Sequence, residues 1–172
     1  MLKLIGAGLT IISCGALGFH TCLEMKKRIR LLQELRKMAV MLTSEITYAN
    51  ATMEEAFAHM EKRFAAPLNL FFGNLSKRLR EGEHGLLCEI FKSQVQQDLS
   101  GIGLKKGDLE SLQALGEQLG YPDLQIQKKN LDYYLEQVNE ACVQAQQEYK
   151  EKEKMFRCLG ISAGVFLVIL FY

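Results

Sequence analysis

Apolar positions in the middle of this chain recur at steps of three and four. Leu31, Leu35, Met38, Leu42, Ile46 and Ala49 lie on one face, the spacing of a helix that buries a single stripe. Asn50, Ala51 and Thr52 interrupt the run, and Thr52 with Glu55 has the pattern of a capping box. In that motif the hydroxyl takes a free backbone N–H while the carboxylate reaches back to the N–H of the cap. A second helix follows, with Ala56, Phe57, Met60 and Phe64 inward, and stops before Pro67, because proline disfavours helical backbone at the residue before it. Leu68, Phe71, Phe72, Leu75 and Leu79 predict a third helix; Leu87, Ile90, Phe91, Val95 and Leu99 predict a fourth. Asp108 is placed as the cap of a fifth, which carries Leu109, Leu112, Leu115 and Leu119 and ends at Gly120. The breaks are "EGEHG" at 81–85, "GIGLKKG" at 101–107 and "YPD" at 121–123. A long sixth helix starts at Leu124, with Leu131, Tyr134, Leu135, Val138, Ala141, Cys142, Ala145 and Tyr149 inward. Its turns before Arg157 are almost wholly polar and are expected to project beyond the bundle.

The two ends break this amphipathic pattern. Residues 4–23, "LIGAGLTIISCGALGFHTCL", contain no Asp, Glu, Lys or Arg, and as a helix they span about 30 Å, the thickness of a hydrocarbon core. A signal peptide has a shorter apolar region and a small-x-small cleavage site; here "GFHTCLEMKKR" follows instead, so an uncleaved anchor is expected. Lys26, Lys27, Arg28, Arg30, Arg36 and Lys37 follow the anchor against only Glu24 and Glu34. By the positive-inside rule that flank holds the middle of the chain on the cytoplasmic side and meets anionic headgroups. Residues 158–172 are also uncharged but reach only about 22 Å as a helix. With Met155 and Phe156 added and Arg157 snorkelling, they approach a span. A buried core helix would carry a polar stripe, and none follows Arg157.

The spans are also expected to pair. Gly6, Thr10, Cys14, Gly18 and Cys22 are small and four apart, and Gly160 with Gly164 forms a GxxxG; such positions let membrane helices approach closely. Gly18, Cys22, Gly160 and Gly164 are therefore the candidate packing residues, and Cys22 and Cys158 are expected at the same depth, close enough to form a disulfide within or between chains.

Composition narrows the function more than it identifies it. With 21 basic and 20 acidic residues there is no general field for nucleic acid, and the basic stretch 26–37 lacks the stacking aromatics of a single-strand binder. Mean hydropathy near zero, −0.02, averages apolar ends with a polar middle. Five scattered cysteines form no CxxC and read as reduced thiols of a cytoplasmic protein. His20, His59 and His84 are far apart; Glu55 and His59 share a helix face, but the further glutamates and paired Glu-x-x-His motifs of a di-metal bundle are missing. Neither a P-loop nor a dinucleotide cradle is present, Tyr133 and Tyr134 read as core and groove, and no cofactor is expected.

The whole pattern resembles the stage III sporulation protein AB family. The residues that carry the resemblance are "MLKLIGAGL" at 1–9, "LTSEITYAN" at 42–50 followed by Glu55 and Ala56, "LGYPDLQIQKKNLDYYLEQVNEA" at 119–141, and "LGISAGVFLVILF" at 159–171. Where the family shows T-P-L-P-E-A, this chain has Thr52 and Glu54 in place of the prolines. The resemblance implies a component of a channel or secretion-like complex of endospore-forming bacteria, in the mother-cell membrane around the forespore. It implies a cytoplasmic domain similar to the platform protein of type II secretion, which couples a cytoplasmic ATPase to membrane components. No catalytic residue is carried over.

The expected architecture is all-α: an N-terminal transmembrane helix at 1–23, a cytoplasmic bundle of about five or six helices at 24–157, and a short C-terminal transmembrane helix at 158–172. The expected function is that of a non-enzymatic membrane platform for an ATPase and other membrane proteins of the sporulation complex. A membrane-anchored adaptor without ATPase coupling is the alternative. Lys150, Lys152 and Lys154 are the candidate partner surface, since that stretch is too polar for a core. Copy number is open, homo-oligomers included.

Overall fold

A computed structural model describes the backbone of residues 2–49, 51–82, 86–119 and 123–171, with side-chain surroundings for these except 2–19, 157, 160, 161 and 163–171. Six α-helices and no strands occur among the described residues: α1 (Leu2–Thr47), α2 (Met53–Arg63), α3 (Leu68–Arg80), α4 (Leu87–Asp98), α5 (Lys106–Leu119) and α6 (Leu124–Phe171). The chain divides into two compact units, one of Arg30–Cys142 and one of Met1–Ile29 with Val143–Tyr172.

In the Arg30–Cys142 unit the predicted stripes are the buried ones. Leu35, Met38, Leu42 and Ile46 of α1 are nearly inaccessible, as are Phe57, Phe71, Phe72 and Phe91. The four phenylalanines knit α2, α3 and α4 together. Phe57 stacks on Phe72 with centroids 6.1 Å apart, and Phe71 meets Phe91 edge-on at 5.4 Å, the geometry that the ring quadrupole favours. Burying each ring contributes roughly 1.5–3 kcal/mol from transfer alone, so this cluster anchors the short helices. Gly116 of α5 lies against Phe91: a Cβ there would come within 2.3 Å of the ring. The missing side chain thus sets how closely α5 approaches α4.

Polar groups fix the edges. Arg78 of α3 donates to Ser93 Oγ at 2.8 Å and to Gln94 Oε1 at 3.0 Å on α4, and Asn74 and Gln94 both donate to Asp98. Gln94 is buried, so its amide needs these partners. Arg80 pairs with Glu54 at 2.8 Å between α3 and α2.

Three sequence expectations are corrected here. α1 ends at Thr47, so Ala49 falls outside the helix and is exposed. α5 starts at Lys106, and Asp108 is not its cap but a first-turn residue, whose carboxylate accepts from the Lys105 N–H at 2.9 Å. Leu124 is 53% exposed, while Gln127 is buried and donates to the Leu119 carbonyl at 2.8 Å; the first turn of α6 closes off α5 with an amide instead of an alkyl group. The expected helix end at Gly120, the turn residues Tyr121 and Pro122, and His84 lie outside the described residues.

Candidate functional site

The second unit brings together the two long helices. Arg28 Nη1 of α1 lies 3.7 Å from Glu148 Oε2 of α6, and Lys26 Nζ sits 5.3 Å from the centre of the Tyr149 ring. Residue numbers rise on one helix as they fall on the other, so α1 and α6 run antiparallel and side by side here. The polar end of α6 was expected to project beyond the bundle; it falls in the unit separate from Arg30–Cys142, where Glu148 and Tyr149 meet α1. Arg28 continues the buried stripe of Leu32, Leu35, Ala39 and Leu42. A guanidinium placed there needs an anionic partner to offset its lost hydration, and Glu148 supplies it. Lys26 adds a cation–π contact. Sequence reasoning missed both pairings; the step of four from Leu32 back to Arg28 puts the arginine on the stripe but names no partner.

Lys150, Lys152 and Lys154 are all exposed on α6, just beyond this pairing. They do not form one face. Lys150 and Lys154 are a turn apart, whereas Lys152 is rotated by about 200° to the opposite side. Glu151 and Glu153 interleave with them. The arrangement is a cationic girdle around a helix and not a single patch.

Cys22 is half-buried, and the surroundings of Gly18, Gly160 and Gly164 lie outside the described residues. The register set by Arg28–Glu148 and Lys26–Tyr149 places Cys22 beside Glu153 and Lys154. Cys158 lies about 7 Å further along α6, and the interhelical separation adds to this. A Cys22–Cys158 disulfide within one chain, which needs Cα atoms within about 7 Å, does not fit that register. Among the described residues no helix is long and apolar enough to cross a membrane; the expected spans at 1–23 and 158–172 fall largely on residues whose side chains lie outside that set.

The Glu55–His59 pair is engaged elsewhere. Glu55 accepts from the Thr52 N–H at 2.9 Å, and its own N–H donates to Thr52 Oγ1 at 3.3 Å, completing the capping box. The backbone hydrogen bond from Thr52, then the one from its side chain, hold the Glu55 carboxyl below the usual carboxylate range. His59 Nδ1 instead lies 3.0 Å from Glu45 Oε2 of α1. Among the described residues no three His, Cys, Asp or Glu side chains gather as metal ligands. Of the adjacent tyrosines, Tyr133 is exposed and Tyr134 buried, and burial pushes the Tyr134 phenol well above its usual range.

Comparison with known proteins agrees with this architecture. The signature of the family described as stage III sporulation protein AB matches residues 3–172. Stage III sporulation protein AB of Bacillus subtilis (strain 168) is 28% identical over 170 residues, covering 99% of each chain. A solved structure of a stage III sporulation protein AB superposes with a TM-score of 0.67 at 25% identity, over 72% of this chain and 97% of that one.

Proposed function

Because this chain belongs to the stage III sporulation protein AB family, we propose that it is a non-enzymatic membrane platform of a sporulation channel or secretion-like complex. Residues 4–23 and 158–172 anchor it, and the bundle lies on the cytoplasmic, mother-cell side of the membrane around the forespore. There it docks a cytoplasmic ATPase.

The observation that carries this reading is the α1–α6 pair. It ties the two helices that lead into the apolar ends and exposes Lys150, Lys152 and Lys154 beside that pairing. Cations there suit both anionic headgroups and an acidic protein surface. The similarity to the platform protein of type II secretion that the family resemblance implies points to the ATPase as partner.

The triple substitution Lys150→Glu, Lys152→Glu and Lys154→Glu tests the docking surface in sporulating cells. The protein is expected to remain folded and membrane-bound, while recovery of the ATPase with it and spore yield both fall. Normal partner recovery and normal sporulation would remove this stretch from the interface. Stimulation of the ATPase by the purified full chain separates a coupling platform from a passive adaptor.

A further inference from the structure

Asp132, Glu136 and Glu140 stand four residues apart on the exposed side of α6, with Tyr133 beside them and 59% exposed. Like charges at this spacing repel along a helix, and among the described residues none of the three forms an ion pair. On α1, Arg30, Arg36 and Lys37 are exposed on one side together with Val40, which is 50% exposed. Arg30 and Arg36 also form no ion pair among the described residues, while Lys37 meets Glu34 within its own helix.

We propose that these two faces are the halves of a self-association surface, the acidic face of α6 in one copy docking on the basic face of α1 in a second. The lengths match: Asp132 to Glu140 spans about 12 Å of helix and Arg30 to Lys37 about 10 Å. Aligned antiparallel with Glu140 at Arg30, Glu136 comes level with Gln33 and Glu34, the latter already paired with Lys37, with Arg36 within a turn, and Asp132 and Tyr133 meet Lys37. Lys129 then falls against Met41, where α1 carries no charge.

Two anchored copies related by a two-fold axis along the membrane normal supply the antiparallel direction, since α1 leaves the membrane and α6 returns to it. Each copy offers both faces, so such a dimer makes the contact twice. The orientation rests on the anchoring proposed above; the charge match does not.

The test is the mass of the full chain in mild detergent, followed by sedimentation at low and high salt. A dimer at low salt that dissociates as salt screens the charges is expected. Glu136→Lys with Glu140→Lys, or Arg30→Glu with Arg36→Glu, should each weaken association by at least about tenfold. A chain carrying all four substitutions should recover it. A wild-type chain that stays monomeric, a dimer indifferent to either reversal, or a fourfold variant that fails to recover would each overturn the proposal. If a reversal disturbs folding, co-produced Arg36→Cys and Glu136→Cys chains in native membranes decide instead: a short bis-maleimide should join them only when both are present, and no joined product would overturn the contact. Loss of membrane retention in an alkaline wash would remove the anchoring alone and leave the charge-swap result standing.

Discussion

Replacing Gly116 by alanine adds one methyl group where two effects oppose each other. Alanine in a helix interior is favoured over glycine by about 1 kcal/mol. At Gly116 the new Cβ would lie 2.3 Å from Cδ1 and 2.8 Å from Cγ of Phe91. Phe91 is fully buried and held by Phe57 at 6.2 Å and Phe71 at 5.4 Å, so its ring has nowhere to turn and α5 must move. Overpacking of this kind costs about 1–3 kcal/mol, sometimes more, which leaves a net loss of up to about 2 kcal/mol. Gly73 on α3 is the control. A Cβ there approaches only the Glu61 carboxyl, at 2.9 Å, and that exposed side chain can swing away, so Gly73→Ala should gain about 0.5–1 kcal/mol. Each kcal/mol shifts Tm by roughly 4–8 °C for a domain of about 100 residues, so thermal unfolding should separate the variants by on the order of 10 °C. Equal stability, or a Gly116→Ala protein more stable than wild type, would refute the argument that the α4–α5 approach is set at this position.

Phe71→Ala should cost about 3–5 kcal/mol, read as a lower denaturant midpoint at unchanged slope, because Phe71 joins the rings of Phe72 and Phe91. Thr52→Ala should cost about 1 kcal/mol through the lost cap. Since Glu55 has a lowered pKa, its contribution is complete above the usual carboxylate range and is lost as pH falls through its lower folded value. The stability gap between wild type and Glu55→Gln should accordingly narrow in titrations from about pH 6 to pH 3. In a chain lacking the other cysteines, mild oxidation should join Cys22 to a cysteine placed at Lys154 more readily than to Cys158; preferential Cys22–Cys158 product would displace the α1–α6 register.

The short helices were legible because each buries one narrow stripe. Phe57, Met60, Phe71, Leu75, Ile90, Val95, Leu112 and Leu115 all sit inside as their spacing predicts. The capping box at Thr52 and Glu55 was legible for the same reason, since it is a local bond between fixed offsets. Asp108 shows the limit of such reading: a carboxylate can cap from the Ncap position or reach back from the first turn, and the sequence looks alike in both cases. Leu124 failed because an apolar residue at a helix start has no stripe before it to fix its phase. Arg28 and Glu148 were invisible for a different reason. Their 120-residue separation carries no periodic signal, and an arginine on an apolar stripe becomes meaningful only once its partner is known.

That separation also orders events during synthesis. Sequence-adjacent helices such as α2 and α3 can pair as soon as both have left the ribosome, whereas Arg28 must wait for Glu148. At about 5–20 residues per second the delay is about 6–24 s, very long beside the microseconds a helix needs to form. Throughout that interval the Glu148 contact of Arg28 is not yet made. A message cut short before codon 148 therefore yields a product whose first helix never acquires the Glu148 contact and which is exposed to quality-control proteases.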